Sequence, residues 1–301
     1  MEDDLLKVLL PLYGIPDSGD YWDVTVTAHS EDDLKLSPLT GDLRLFVKPN
    51  DDSVDGLMGN YVDDFAHGGN EAFQPLTLKP LKVFEAKPRE WDCFDFVGVS
   101  IKTVPGLPRS FTLGQEKYVD AAVIQSLDID YETFVSVRSG FAWLAHSRPD
   151  LCCAINRSAQ VTAASFGTRH VQELNRAIKR AKVTASLSLS YTPLDRETLH
   201  LRVYADASFA NNDDQSSQIG YVVLLCDGTD KCHVLAYSSK KARRVVRSIM
   251  AGEVYAFADA FDAAYIIKHD LERIYRQHLP LVMLTYSRQL FDVVTRASHT
   301  T

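Results

Sequence analysis

Four carboxylates stand out for the company they keep. Asp63 and Asp64 follow Tyr61-Val62, framed by Leu57-Met58-Gly59 and Phe65. The pattern over 57–65 predicts a strand, a tight acidic tip and a returning strand. Two acids held side by side at such a tip suit a hard divalent cation. Magnesium takes carboxylate oxygens in octahedral geometry and keeps positions open for phosphates. A pair of such ions can clamp the attacking and leaving oxygens of phosphoryl transfer. The competing reading is a solvated acidic turn, because Asp3-Asp4, Asp32-Asp33, Asp51-Asp52 and Asp213-Asp214 also occur.

The second pair is distant in sequence. Asp206 lies in Tyr204-Ala205-Asp206-Ala207-Ser208-Phe209-Ala210, on a predicted strand. Glu253 lies in Ser248-Ile249-Met250-Ala251-Gly252-Glu253-Val254-Tyr255-Ala256, near the start of a predicted long helix, 47 positions later. Taken alone, Asp206 also reads as a strand-end polar residue and Glu253 as an exposed helix residue. A β-β-β-α order is able to bring the two together. Just before that helix, Lys240-Lys241-Ala242-Arg243-Arg244-Val245-Val246-Arg247 carries five positive charges, suited to phosphate contacts or to a solvated loop. Among the five cysteines, the odd count and the adjacent Cys152-Cys153 do not suggest a disulfide framework, and they point to a reducing compartment. Cys226, Cys232 and His233 read as small hairpin residues, or as part of a metal site that lacks a second ligand pair.

These residues need elements to hold them. The 301 residues suffice for one large or two ordinary domains, and the aromatic content and modest net charge of −8 argue against disorder. That charge is not the bulk signature of a nucleic-acid binder. The first third reads as strands and loops, with strands over 42–47 and 94–104 and a partner at 110–113. Helices are expected over 115–127, 136–145, 150–164 and 169–185, the last with a basic face of Arg176, Lys179, Arg180 and Lys182. The segment 186–197 reads as a connector. After it come strands at 199–209, 218–226 and 232–239, and a helix over 246–269 with Ile249, Val254, Phe257, Phe261, Tyr265 and Ile266 or their neighbours facing a core. A strand at 281–285 and a helix from 288 complete the pattern. The acidic start Met1-Glu2-Asp3-Asp4 is unlike a secretory signal, and no segment approaches a membrane span.

Consecutive blocks resemble one family. Tyr61-Val62-Asp63-Asp64 is similar to the polymerase motif of reverse transcriptases. Pro11-Leu12-Tyr13-Gly14-Ile15-Pro16-Asp17-Ser18-Gly19 and Phe96-Val97-Gly98 resemble segments flanking that motif in copia-type retrotransposon Pol polyproteins. So do Leu113-Gly114-Gln115-Glu116-Lys117-Tyr118 and Trp143-Leu144-Ala145-His146-Ser147-Arg148-Pro149-Asp150-Leu151. The segments around Asp206 and Glu253 resemble the first strand and first helix of ribonuclease H, whose acids bind metal. The resemblance implies an α/β and α+β architecture. Residues 1–190 would form part of a reverse-transcriptase palm with a helical thumb- or connection-like region. Residues 197–301 would form an incomplete ribonuclease H-like mixed sheet with flanking helices.

The same resemblance implies Asp63, Asp64, Asp206 and Glu253 as catalytic and Mg2+-ligating positions. It also implies an RNA–DNA hybrid or template-primer as partner. The cysteine usage and the acidic start, in turn, lead us to expect an intracellular location, cytoplasmic or nuclear, rather than a secreted protein. The departures bear on function. Where the family carries an Asp on the fourth strand, this chain has Tyr286 in Leu284-Thr285-Tyr286-Ser287. A phenol is neutral at pH 7 and a poor magnesium ligand. Only twelve residues precede Tyr13, and the chain ends at Thr301, so an earlier palm acid and a final strand with a further acid are expected to be missing. Pro75, Pro80 and Pro88 make the segment after the hairpin irregular. The expectation is a remnant or repurposed fragment with little or no catalysis and weak or absent Mg2+ binding. The alternatives are an active Mg2+-dependent polymerase and ribonuclease H within a longer polyprotein, and a non-catalytic scaffold with a protein partner.

Overall fold

A computed structural model describes residues 18–51, 53–62, 64–84 and 90–297. The block from Pro11 to Asp17 and the first of the paired acids, Asp63, lie outside the described residues. The chain forms two compact units, residues 1–89 with 269–278 and residues 90–268 with 279–301. These units reflect packing within one chain. The boundary expected between 190 and 197 concerns ancestry, and it remains a proposal.

In the first unit, α1 (Ser18–Ala28) runs into one wider turn at His29–Asp33. This helix corrects the expectation of strands and loops throughout the first third. Tyr21, Trp22, Val24, Thr25, Val26 and Thr27 favour strand by type, yet only Val26 of the apolar ones is fully buried, at one position of a helical face. Four antiparallel strands follow and pair in chain order: β1 (Ser37–Pro38), β2 (Leu45–Pro49), β3 (Val54–Tyr61) and β4 (Asp64–Gly69). The strand expected from Asp42 starts at Leu45, because Asp42 turns the chain by accepting from the Arg44 N–H at 2.9 Å. Phe46 and Met58 are register partners on the covered face. With Leu34, Leu36 and Phe73 they make this unit's core. A short helix, α2 (Lys79–Val83), comes after β4.

The second unit holds two more sheets and a helical core. β5 (Cys93–Phe96), β6 (Val99–Thr103) and β7 (Phe111–Gly114) form a meander. The alternation predicts one long strand over 94–104. Val97 at φ 52° and Gly98 at φ 70° instead turn the chain into a hairpin there. A side chain at Gly98 would strike the Trp143 indole as well as adopt an unfavourable φ, so glycine is required. Next come α3 (Glu116–Ala121), α4 (Tyr131–Ala142), α5 (Cys152–Ala159) and α6 (Thr168–Val183). Helix α3 stops early, at extended Ala122. The carboxylate of Asp130 caps α4 by accepting from the Thr133 N–H at 2.8 Å. Phe134, Phe141, Leu144, Leu151, Val171, Leu174 and Ile178 close the core of this region.

Asp150, expected to cap the third helix, is an ion-pair partner instead. It takes two hydrogen bonds from buried Arg148, at 2.8 and 2.9 Å, which hold its carboxyl below the usual carboxylate range. Arg148 also donates to Thr184, whose carbonyl and hydroxyl oxygens follow α6. The expected connector contains a strand, β8 (Leu189–Tyr191), which completes the β5-β6-β7-β8 sheet.

The last sheet has the order β11-β10-β9-β12, from β9 (His200–Ser208), β10 (Gln218–Cys226), β11 (Cys232–Lys241) and β12 (Leu281–Leu284). Its pairs are antiparallel except β12 with β9. A parallel neighbour needs a long crossover, supplied by α7 (Ile249–Tyr275); α8 (Arg288–Ala297) follows β12. The final turns of α7 count with the first unit. There Asp270 accepts from the Thr40 and Gly41 N–H groups at 2.8 and 2.7 Å.

The covered face of α7 is Gly252, Ala256, Ala260 and Ala264, spaced by four. Val254, Phe261, Tyr265 and Ile266, expected to face the core, are exposed. Small residues, not the large apolar ones, occupy the covered face. The expectation of unpaired cysteines is corrected at one place. Cys226 and Cys232 face each other on the last rung of β10–β11 and form a disulfide. Cys93, Cys152 and Cys153 are free thiols. The protein is thus mixed α and β, with three sheets built mainly of antiparallel pairs. No helix among the described residues is long and apolar enough to cross a membrane.

Candidate functional site

The acidic hairpin is built by ladder register. Asn60 faces Phe65 and Tyr61 faces Asp64 across the hairpin. Val62 sits at φ 53°, a left-handed conformation that a β-branched residue adopts at a cost. The Trp22 indole N–H donates to the Val62 carbonyl. Tyr61, Val62 and Asp64 are all exposed. Behind the tip, Asn60 is only 5% exposed, and neither atom of its side-chain amide has a hydrogen-bond partner among the described residues. Leaving such groups unpaired costs about 1–3 kcal/mol. Sequence reading does not single out this residue. A polar side chain in the buried register of an otherwise apolar strand is the available signal.

Asp206 and Glu253 are brought together by packing. Asp206 lies within β9, opposite Gly220 of β10, with its side chain exposed between buried Ala205 and half-buried Ala207. Glu253 lies in the second turn of α7. The contact that joins these elements is Gly252 against Ala207. A β-carbon at Gly252 would stand 3.3 Å from that of Ala207 and 3.5 Å from Val246 Cγ1, so nothing larger than glycine fits without movement. One residue on, Glu253 is 9% exposed. Burial pushes its carboxyl above the usual glutamate value, and the Asp206 carboxylate pushes it the same way. The Ala207 backbone N–H opposes both.

Tyr286 follows the end of β12. Leu284 is paired in parallel with Tyr204, so Tyr286 comes two residues after that rung, as Asp206 does on its own strand. Its side chain is 89% exposed.

These donors define what a cation would find. Asp206 and Glu253 supply two carboxylates whose mutual repulsion a cation would relieve. Among the described residues, no cluster of three or more His, Cys, Asp or Glu side chains has a geometry for a metal ion. Two carboxylates suit one hard ion that keeps most of its waters. They do not fit a two-metal clamp.

The basic run is divided by its ion pairs. Lys240 Nζ reaches Asp259 of α7 at 2.8 Å, and Lys241 pairs with Asp214, whose carboxyl it holds well below the usual range. Arg243, Arg244 and Arg247 stay exposed. Two of the five charges therefore pin the end of β11, and the other three face solvent.

No protein-family model matches the chain. Retrovirus-related Pol polyproteins from the transposons RE1 and RE2 of Arabidopsis thaliana are 27% and 28% identical to it over 245 residues. Each match covers 72% of this chain and 16% of the polyprotein, so the chain spans about a sixth of the length of these curated relatives. The sequence blocks and the two matches agree: the chain is related to the retrovirus-related Pol polyproteins of plant transposons.

Proposed function

We propose that this chain is a retroelement-derived Pol segment that keeps the frame of a reverse-transcriptase palm and of a ribonuclease H domain, with little or no phosphoryl transfer. On this reading residues 1–190 descend from the polymerase and residues 197–301 from the ribonuclease H. Asp63, Asp64, Asp206 and Glu253 stand at the ancestral metal positions. The supporting observation is the Asp206–Glu253 pair itself. Its two acids share an electrostatic environment, and the third expected acid is an exposed tyrosine. Magnesium binding is weak for want of ligands. The remaining role is adhesive: Arg243, Arg244 and Arg247 meet phosphates of an RNA–DNA hybrid or template-primer without reading bases.

The test is cleavage of an RNA–DNA hybrid with magnesium, by the unmodified chain, Asp206→Asn and Tyr286→Asp. The expected result is no cleavage that depends on Asp206. Magnesium-dependent cleavage by the unmodified chain, abolished in Asp206→Asn, overturns the proposal in favour of an active enzyme.

A further inference from the structure

The basic face of α6 has no part in the carboxylate sites. With α5 it lines a cleft of about 350 Å³. Arg157 and Ser158 contribute from α5, and Glu173, Arg176 and Arg180 from α6. Leu174 and Ala177 form part of the floor and are buried in the core beneath. Three guanidiniums therefore face one carboxylate, in a chain whose net charge is −8.

The acids that would cancel this charge are engaged or distant. Asp150 lies 3.6 Å from Arg180 but already takes two shorter bonds from Arg148. Glu173 meets Arg176 only at 4.0 Å. Arg157 has no acidic partner among the described residues. The negative end of α5 also borders the cleft and would repel an anion. Arg138 offsets it by donating to the carbonyls of Ser158 and Val161 at 2.8 and 2.7 Å. Arg176 and Arg180 stand one helical turn apart on the same face. Guanidiniums so placed offer forked donors to successive phosphate oxygens.

We propose that the α5–α6 cleft is a phosphate-binding site in which Arg157, Arg176 and Arg180 hold adjacent phosphate groups. The phosphates come from a nucleic-acid backbone or from a free polyphosphate. The nucleic-acid case rests on the Pol reading above, and the polyphosphate case does not. Glu173 acts as a built-in competitor that a ligand must displace from Arg176.

Two probes separate the sources: a labelled RNA–DNA hybrid followed by anisotropy, and inorganic pyrophosphate followed by calorimetry. Each is titrated between about 50 and 200 mM salt against the unmodified chain, the triple variant Arg157→Gln/Arg176→Gln/Arg180→Gln, Glu173→Gln, and Arg243→Gln/Arg244→Gln/Arg247→Gln. Each phosphate that a variant no longer neutralises lowers the slope of log K against log salt by about 0.9. The triple cleft variant is expected to lose at least about tenfold in affinity for one probe, with a slope reduced by about 2 to 3 for the hybrid. Glu173→Gln is expected to bind several-fold tighter, a gain that a merely structural role for these side chains does not produce. Pyrophosphate binding that needs the cleft, with no hybrid binding, supports the site and counts against a nucleic-acid partner. Hybrid binding that the 243/244/247 variant abolishes and the cleft variants leave unchanged overturns the cleft and keeps the Pol reading. Absence of binding by either probe to the unmodified chain overturns the cleft proposal.

Discussion

In the β3–β4 hairpin, acids are neighbours because the chain makes them consecutive. At β9 and α7 they are neighbours because a helix packs onto a strand. Asp64 needs only its place in the strand register opposite Tyr61, near Val62 in a left-handed conformation. Asp206 and Glu253 need the whole sheet, a long crossover and a glycine at the point of closest approach. Exposure differs accordingly. Asp64 stands exposed on its strand. Glu253 is buried beside a like charge, and its affinity for protons rises. Adjacency in sequence gives a motif, while adjacency in space perturbs an acid.

The heaviest blow to that contrast is Gly252→Leu. The first added carbon already crowds Ala207 at 3.3 Å, so the start of α7 is expected to shift against β9. Overpacking of this kind costs about 1–3 kcal/mol. The variant is expected to show a lower denaturation midpoint, and a Glu253 carboxyl that titrates normally once Asp206 and the Ala207 N–H are distant. The β3–β4 hairpin, in the other compact unit, should keep its hydrogen-exchange protection.

On the hairpin side, Asn60→Leu exchanges an unpaired buried amide for an apolar side chain of similar shape. The expected outcome is a gain of about 1–2 kcal/mol in chemical denaturation.

Glu253→Gln acts through pH. A carboxyl whose folded pKa is raised binds more protons folded than unfolded, so its contribution to stability falls as pH rises through the interval above 4.5. The glutamine variant is expected to melt higher than the parent at pH 7. That advantage should vanish below pH 4.5, where the acid is protonated in both states. An equal melting difference at both pH values would show that the carboxyl is not perturbed. The smallest effect is expected from Val62→Asn, which suits a left-handed residue better and should gain up to about 1 kcal/mol by relief of backbone strain.

How far these features can be read from sequence follows the same division. β10 is legible to the residue, because Gln218–Cys226 is a run of β-branched and apolar residues ended by an Asp-Gly turn. The β3–β4 hairpin is legible for the same local reasons. Phe94–Val104 misleads, since alternation continues across Val97-Gly98 while the backbone reverses there. Helix α1 is hidden because its residue types favour strands. The face of α7 is obscured by size: large apolar residues attract attention, but Gly252, Ala256, Ala260 and Ala264 are the covered ones. The cross-strand Cys226–Cys232 bond depends on register, which composition does not set. The pairing of Asp206 with Glu253 is visible only through resemblance, for no periodicity links residues 47 positions apart. The α5–α6 cleft is half visible. Arg176 and Arg180 mark a helix face, whereas Arg157 joins them only through helix packing.

The most direct test of the central claim, a carboxylate pair formed by packing yet short of metal ligands, is an NMR titration of the Glu253 side-chain carbonyl. It is made with and without magnesium, in the parent chain and in Asp206→Asn. The account predicts a midpoint above 4.5 in the parent, a lower one in Asp206→Asn, and a magnesium response that does not saturate below about 1 mM. A midpoint at the ordinary value and indifferent to Asp206, or tight saturable magnesium binding, would contradict it.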